Sequence, residues 1–233
     1  MPIRDVAAIL VAGGSSTRFG SSSSAMSRKQ FETIGELPMY QLVARTFSRV
    51  EPVHTIVLVG RAEDLSEMEQ GLRAMNLPVK WKVVTGGETR QDSVANGLRA
   101  IRGEREIKIG IVHDVARALV DQALILSVIQ AIREHGSAVA CLEIVDTIKR
   151  AEGREIMETV PRENLWRAQT PQGARIELLR TAYESAREAN FHGTDESQLL
   201  ERIGEHPRLV TGSEMNFKIT YPSDLERARL GRG

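Results

Sequence analysis

Short apolar runs separated by amphipathic stretches set the rhythm of the chain from Val6 to Glu143. Val6 to Ala12, Thr55 to Val59, Val79 to Val84, Ile107 to His113 and Ala138 to Glu143 read as strands. Met39 to Arg49, Asp64 to Ala74, Thr89 to Ile101 and Gln122 to Glu134 carry the helical period, with Pro38 at a first turn and Asp121 at an N-cap. Alternation of this kind predicts βαβ units, right-handed crossovers and a parallel sheet covered on both faces. The runs AAILVA and TIVLV are continuously apolar, as central strands buried on both faces should be.

The rhythm breaks after Glu143. DTIKRAEGREIMETVPREN is charged and holds two short extended pieces around Gly153, which predicts a β-arm leaving the main body. Helical patterns follow at Arg175 to Ala189 and Asp195 to Ile203, then a strand pair near Leu209 and at Phe217 to Thr220, then a helix from Ser223. The expectation is an α/β fold: a Rossmann-like, mostly parallel sheet in one domain over residues 1–233, with a protruding β-arm inserted at residues 144–165.

Composition narrows the class. Lys+Arg and Asp+Glu are 31 each, so the basic excess of a nucleic-acid or membrane-surface protein is missing. The single cysteine, Cys141, excludes an internal disulfide, and the five histidines show no metal-ligand spacing. The apolar run Ala7 to Ala12 is far short of the ~20 residues that span a bilayer. With strand character starting at Val6, a cytoplasmic enzyme without a leader is expected.

The candidate chemistry lies in the loops after strands. AILVAGGSSTRFGSSSSAMSRKQF places a glycine turn after the first strand, where open α/β sheets bind ligands. Gly20 is followed by Ser21 and Ser22 rather than Lys and Ser/Thr, so this is not a P-loop. Gly13, Gly14 and Gly20 do not have dinucleotide spacing either. What remains is a long polar loop carrying Arg18 and Lys29, either folded over a triphosphate or simply solvated. TGGETRQDSV offers Asp92 or Ser93 to a base or ribose, or else is a capped connection. In IGIVHDVAR, Asp114 ends a buried strand, over the ligand crevice or as an N-cap with Arg117 as its surface partner.

Taken together, AGGSSTRFG, RKQF, GGETRQDSV, HDVAR, DTIKR, TVPRENLWRAQTPQG, TDE and NFKIT resemble the methylerythritol phosphate cytidylyltransferases of the non-mevalonate isoprenoid pathway, in order, from Ala12 to Thr220. The resemblance implies a nucleotidyltransferase fold and transfer of CMP from CTP to 2-C-methyl-D-erythritol 4-phosphate with release of pyrophosphate. It implies a divalent metal, usually Mg²⁺, held mainly by the CTP phosphates with Asp114 nearby. Arg18 and Lys29 match the family's triphosphate cations, and Arg162 and Lys218 the cations that grip the acceptor's phosphate. The acceptor's hydroxyls are expected near Asp114, Arg117 and Thr147. Cytosine and ribose contacts are expected from Ala12, Gly13, Gly14, Gly87, Glu88 and Ser93. Family members pair their arms across a twofold axis, which implies a homodimer. The related ribitol phosphate cytidylyltransferases are the neighbouring alternative; a non-catalytic nucleotide-binding module and a dehydrogenase fit less well. Three departures stand out: Ser16 for a common glycine, Arg28 for a common proline and Ala118 for the usual proline after HD-x-AR.

Overall fold

A computed structural model describes residues 3–13 and 28–231. Gly14, Ser16, Arg18 and the serine run Ser21 to Ser24 lie outside the described residues. In chain order the strands are β1 (Val6–Val11), β2 (Thr33–Ile34), β3 (Leu37–Pro38), β4 (Val53–Gly60), β5 (Lys80–Thr85), β6 (Ile109–Asp114), β7 (Ser137–Glu143), β8 (Ile148–Glu152), β9 (Glu155–Val160), β10 (Trp166–Arg175) and β11 (Arg208–Thr211). The helices are α1 (Met39–Ser48), α2 (Leu65–Ala74), α3 (Arg90–Ala100), α4 (Gln122–His135), α5 (Ile176–Glu188), α6 (Glu196–Arg202) and α7 (Pro222–Leu230). Among the described residues, no helix is long and apolar enough to cross a membrane.

Seven strands form the central sheet in the order β11-β7-β10-β6-β1-β4-β5. β10 runs antiparallel to both its neighbours, and the other pairings are parallel. Period-2 alternation along β1 sends Val6, Ala8 and Leu10 into one apolar layer and Ala7, Ile9 and Val11 into the other. The first layer is closed by α1, α2, α4 and α7, the second by α3, α5 and α6. Every residue of β1 and β6 is buried, which is why β1 is continuously apolar and β6 turns polar only at its last two residues, His113 and Asp114.

The chain leaves β1 for β4 and β5 on one side, then returns to β6 on the other. That reversal opens a crevice beyond the carboxyl ends of β1 and β6, where Val11 lies opposite Asp114 in the register.

Two expectations are corrected. LWRAQTPQG, read only as a motif, belongs from Trp166 onward to β10, a strand between β6 and β7. Phe217 to Thr220 is not a strand: Ile219 N–H donates to the Ala116 carbonyl at 2.8 Å and its own carbonyl accepts from Lys29 Nζ at 2.8 Å, so no ladder partner is used. Leu209 does lie in a strand, but its partner is β7. The charged segment after Glu143 forms a separate two-stranded sheet, β8 with β9, turning at Gly153 (φ +58°). Ile144 N–H donates to the Leu165 carbonyl at 3.1 Å and closes its base, next to Trp166, which pairs with Glu143.

Candidate active site

The floor of the crevice is backbone. Ala12 is buried and Gly13 half-buried at the end of β1. Gly86 N–H donates to the Gly60 carbonyl at 2.7 Å, tying the end of β5 to the end of β4. Gly87 leads into α3, and a Cβ placed there would come within 2.3 Å of the Asp92 side chain and 3.2 Å of its carbonyl carbon, so the close turn requires glycine. Thr89 caps α3: its hydroxyl accepts from Asp92 N–H at 3.1 Å, and the Asp92 carboxylate accepts from Thr89 N–H at 3.1 Å. Asp92 is therefore a capping residue. Ser93 is buried; its hydroxyl accepts from Gly87 N–H at 3.1 Å and donates to the Thr89 carbonyl at 2.9 Å, holding the glycine turn in shape. Gly87 and Glu88 are exposed, beside the helix N-terminus, where backbone N–H groups favour anions.

Asp114 forms the other wall. It caps no helix, since Asp121 is the N-cap of α4. Its Oδ2 accepts from Lys218 Nζ at 2.7 Å and its Oδ1 from Arg90 Nε at 2.9 Å. Burial alone would raise the Asp114 pKa, but Arg90 and Lys218 outweigh it and hold the carboxyl well below the usual carboxylate range. Lys218 keeps 47% of its side chain exposed, so it reaches Asp114 from the open side.

The strand end behind Asp114 is fixed by a set of linked hydrogen bonds. His113 Nε2 lies 3.2 Å from the Arg117 carbonyl, which can only accept, so Nε2 carries the proton and Nδ1 is the acceptor. The Thr170 hydroxyl donates to His113 Nδ1 at 3.0 Å and accepts from Asp114 N–H at 3.0 Å. Burial pulls the His113 pKa down to about 4, with Asp114 opposing that shift, so the ring is neutral at pH 7. Arg117 does not pair with Asp114 as a surface partner; its Nη1 donates to the Asn216 carbonyl at 2.8 Å and its Nη2 to the Ala168 carbonyl at 3.3 Å. Asn216 Nδ2 in turn donates to the Thr170 carbonyl at 2.8 Å, so the segment carrying Lys218 is pinned to β10.

Lys29 lies in a short 3-10 turn, Lys29–Phe31, and its bond to the Ile219 carbonyl joins the glycine-loop side to the Lys218 segment. Arg28 pairs with buried Asp64 and with Glu67, each at 2.8 Å, and its guanidinium lies 3.9 Å from the centre of the Phe31 ring. A cation thus anchors the place where the family often has proline. Ala118 is buried behind Asp114, where Arg117 N–H donates to the Asp114 carbonyl at 2.9 Å and keeps the turn tight. Arg162 and Thr147 stand apart, both exposed at the root of the arm; Arg162 donates to the Val145 carbonyl. Neither has a hydrogen bond to Asp114 or Lys218 among the described residues. Arg90, Glu196, Tyr183, Thr170 and His113 belong to the cluster but were not singled out by sequence. They join segments up to about a hundred residues apart and carry no local spacing signal; the TDE motif around Glu196 was the nearest hint.

Comparison with known proteins identifies the family. The family model for 2-C-methyl-D-erythritol 4-phosphate cytidylyltransferase matches residues 6–230. The protein of that name from Acidobacterium capsulatum is 38% identical over 225 residues, covering 94% of each chain. Its namesake from Geobacillus kaustophilus is 36% identical over 218 residues, covering 94% of this chain and 92% of the relative. Among solved structures, 4-diphosphocytidyl-2C-methyl-D-erythritol synthase from Anaerococcus prevotii superposes with a TM-score of 0.84 at 26% identity, over 98% of this chain and 96% of the other. The cytidylyltransferase from Thermus thermophilus gives 0.77 at 29% identity, over 97% and 98%. The sequence match over nearly the whole chain leads to one assignment: the chain belongs to the 2-C-methyl-D-erythritol 4-phosphate cytidylyltransferase family.

Proposed function

We infer that the protein transfers CMP from CTP to the phosphate of 2-C-methyl-D-erythritol 4-phosphate, releasing pyrophosphate, as a step in isoprenoid precursor synthesis. The observation that carries this reading is Asp114 held between Arg90 and Lys218 at the carboxyl end of β6, beside the glycine-lined end of β1. The nucleophile is an acceptor phosphate oxygen, already anionic at neutral pH. It forms a bond to the α-phosphorus as the bond to the pyrophosphate oxygen breaks, so no general base is needed. The obstacle is charge: an anion must approach a triphosphate, and more charge gathers on the leaving group. Lys29 and Arg18 are assigned to the triphosphate, and Arg162 and Lys218 to the acceptor's phosphate. Ala12, Gly13, Gly14, Gly87 and Glu88 are assigned to the base and ribose, with Ser93 shaping their turn. Asp114, Arg117 and Thr147 are assigned to the acceptor.

Among the described residues, no group of three His, Cys, Asp or Glu could hold a metal ion. One carboxylate at the crevice fits Mg²⁺, which commonly binds through one or two carboxylates and substrate phosphates. Asp114 would stand beside the ion, and the ion, when bound, would neutralise charge developing on the pyrophosphate. A homodimer in the cytoplasm completes the proposal: the arm leaves Val145 69%, Ile156 66% and Met157 56% exposed, an apolar strip that a second arm would cover.

The test is pyrophosphate release with CTP, Mg²⁺ and either methylerythritol phosphate or ribitol phosphate, with ATP and GTP as alternative donors. Turnover is expected with CTP and methylerythritol phosphate, and much poorer with ribitol phosphate or a purine triphosphate. Equal rates with ribitol phosphate, or with ATP, would overturn the substrate assignment.

A further inference from the structure

Arg90 is the first residue of α3, separated from the Gly87–Glu88 turn only by the N-cap Thr89. Its guanidinium contacts two carboxylates from different parts of the chain. Nη1 and Nη2 donate to Glu196 Oε1 and Oε2 at 2.8 and 3.0 Å, a two-pronged pairing, while Nε donates to Asp114 Oδ1 at 2.9 Å. Glu196 is 0% exposed and opens α6; the Tyr183 hydroxyl, from α5, also donates to its Oε1 at 2.8 Å. Side chains from three helices of one layer therefore meet at the Glu196 carboxylate.

We infer that Arg90 is the positioning residue for Asp114, and that Glu196 and Tyr183 hold Arg90 in the orientation this requires. The inference rests on the cytidylyltransferase reading of the site. A guanidinium is planar, and two of its donors fixed on one carboxylate dictate where the remaining Nε–H points. Here it points at Oδ1, which leaves Oδ2 on the open side, where Lys218 meets it at 2.7 Å. Without Arg90, Asp114 would be held at its carboxylate only by a flexible, 47% exposed lysine, and its plane could turn. The same residue starts the helix after the glycine turn, so it links the nucleotide side of the crevice to the acceptor side. Lysine cannot replace it, because an ammonium offers a point charge without the fork.

The test separates positioning from mere structural support by measuring KM for each substrate. Glu196→Gln keeps the size and the Tyr183 contact but removes the charge that clamps Arg90. It should raise KM for methylerythritol phosphate about tenfold and leave KM for CTP within about twofold. Arg90→Lys should move the same two constants in the same directions. Combined with Asp114→Asn, either change should add little, because both act through that carboxylate. Multiplying effects in the double variants, an unchanged acceptor KM in folded protein, or an equal rise in both KM values would overturn the inference. If Glu196→Gln does not fold, Tyr183→Phe decides: a smaller rise confined to the acceptor KM supports the role, and no change in either KM refutes it. Absence of turnover in the unaltered enzyme would refute the cytidylyltransferase reading instead.

Discussion

His113 shows how strand placement sets chemistry at the scale of one residue. It is wholly buried, with a folded pKa of about 4 against the ordinary value of 6.5. A depressed histidine binds its proton less readily folded than unfolded. Its effect on stability is therefore nil above about pH 7, and stability declines as pH falls through the unfolded value until the folded form also protonates near 4. Between pH 7 and 5 this amounts to about 2 kcal/mol. Urea midpoints at the two pH values should show most of that loss, and His113→Gln, though less stable overall, should show a flatter decline. An equally steep decline in the variant would assign the effect elsewhere. Lys29 and Lys218 differ in another way. Lys29→Ala should lower kcat by about a hundred- to a thousandfold, as expected when a preorganised donor to the leaving group is lost. Lys218→Ala should chiefly raise KM for the polyol phosphate, losing kcat only through misaiming. Near-normal turnover in Lys29→Ala, with Lys218→Ala changing CTP affinity alone, would reverse the two assignments.

At the scale of elements, β10 is where reading from sequence ran out. Strands β1, β4 and β6 were legible because burial on both faces leaves a plain apolar run. Gln169, Thr170, Pro171 and Gln172 have no such pattern and contain a proline, which argues against a central strand. They are nonetheless buried, because partners distant in sequence satisfy them: Gln172 Nε2 donates to Asp195 at 3.0 Å, and Asn216 donates to Gln169 Oε1 at 3.1 Å. Such compensation is tertiary and leaves no periodicity. Asp114 and Lys218 could be found from motif and strand position, whereas the Arg90–Glu196 pairing could not. Gly173 tests how closely β10 sits against β6. A Cβ there would lie 2.2 Å from the Gly110 carbonyl oxygen and 2.9 Å from Ile111 Cα, both backbone atoms that cannot step aside. Gly173→Ala should cost about 3 kcal/mol or more in urea unfolding; an unchanged midpoint would mean the strands separate easily. The arm calls for a different experiment. Ile156→Asp, at a position 66% exposed, should convert the proposed arm-mediated dimer to monomer by light scattering and lower the melting temperature only by the stabilisation that association supplies. A dimer that survives would move the interface away from the arm.

For the whole molecule, the two apolar layers stabilise the sheet while the carboxyl ends of its parallel strands carry the candidate site. Stability and chemistry are thereby separable. Chelating divalent metal should stop turnover but leave the melting temperature unchanged, since the described residues contain no carboxylate, histidine or cysteine group able to hold an ion by themselves. The central claim is that this crevice joins two phosphates. Phosphorus NMR of a reaction holding CTP, Mg²⁺ and methylerythritol phosphate tests it most directly. The account predicts that the acceptor's monophosphate signal gives way to two coupled diphosphate signals, with one equivalent of inorganic pyrophosphate. Formation of CMP and pyrophosphate beside an unchanged acceptor, or of CDP and orthophosphate, would contradict it.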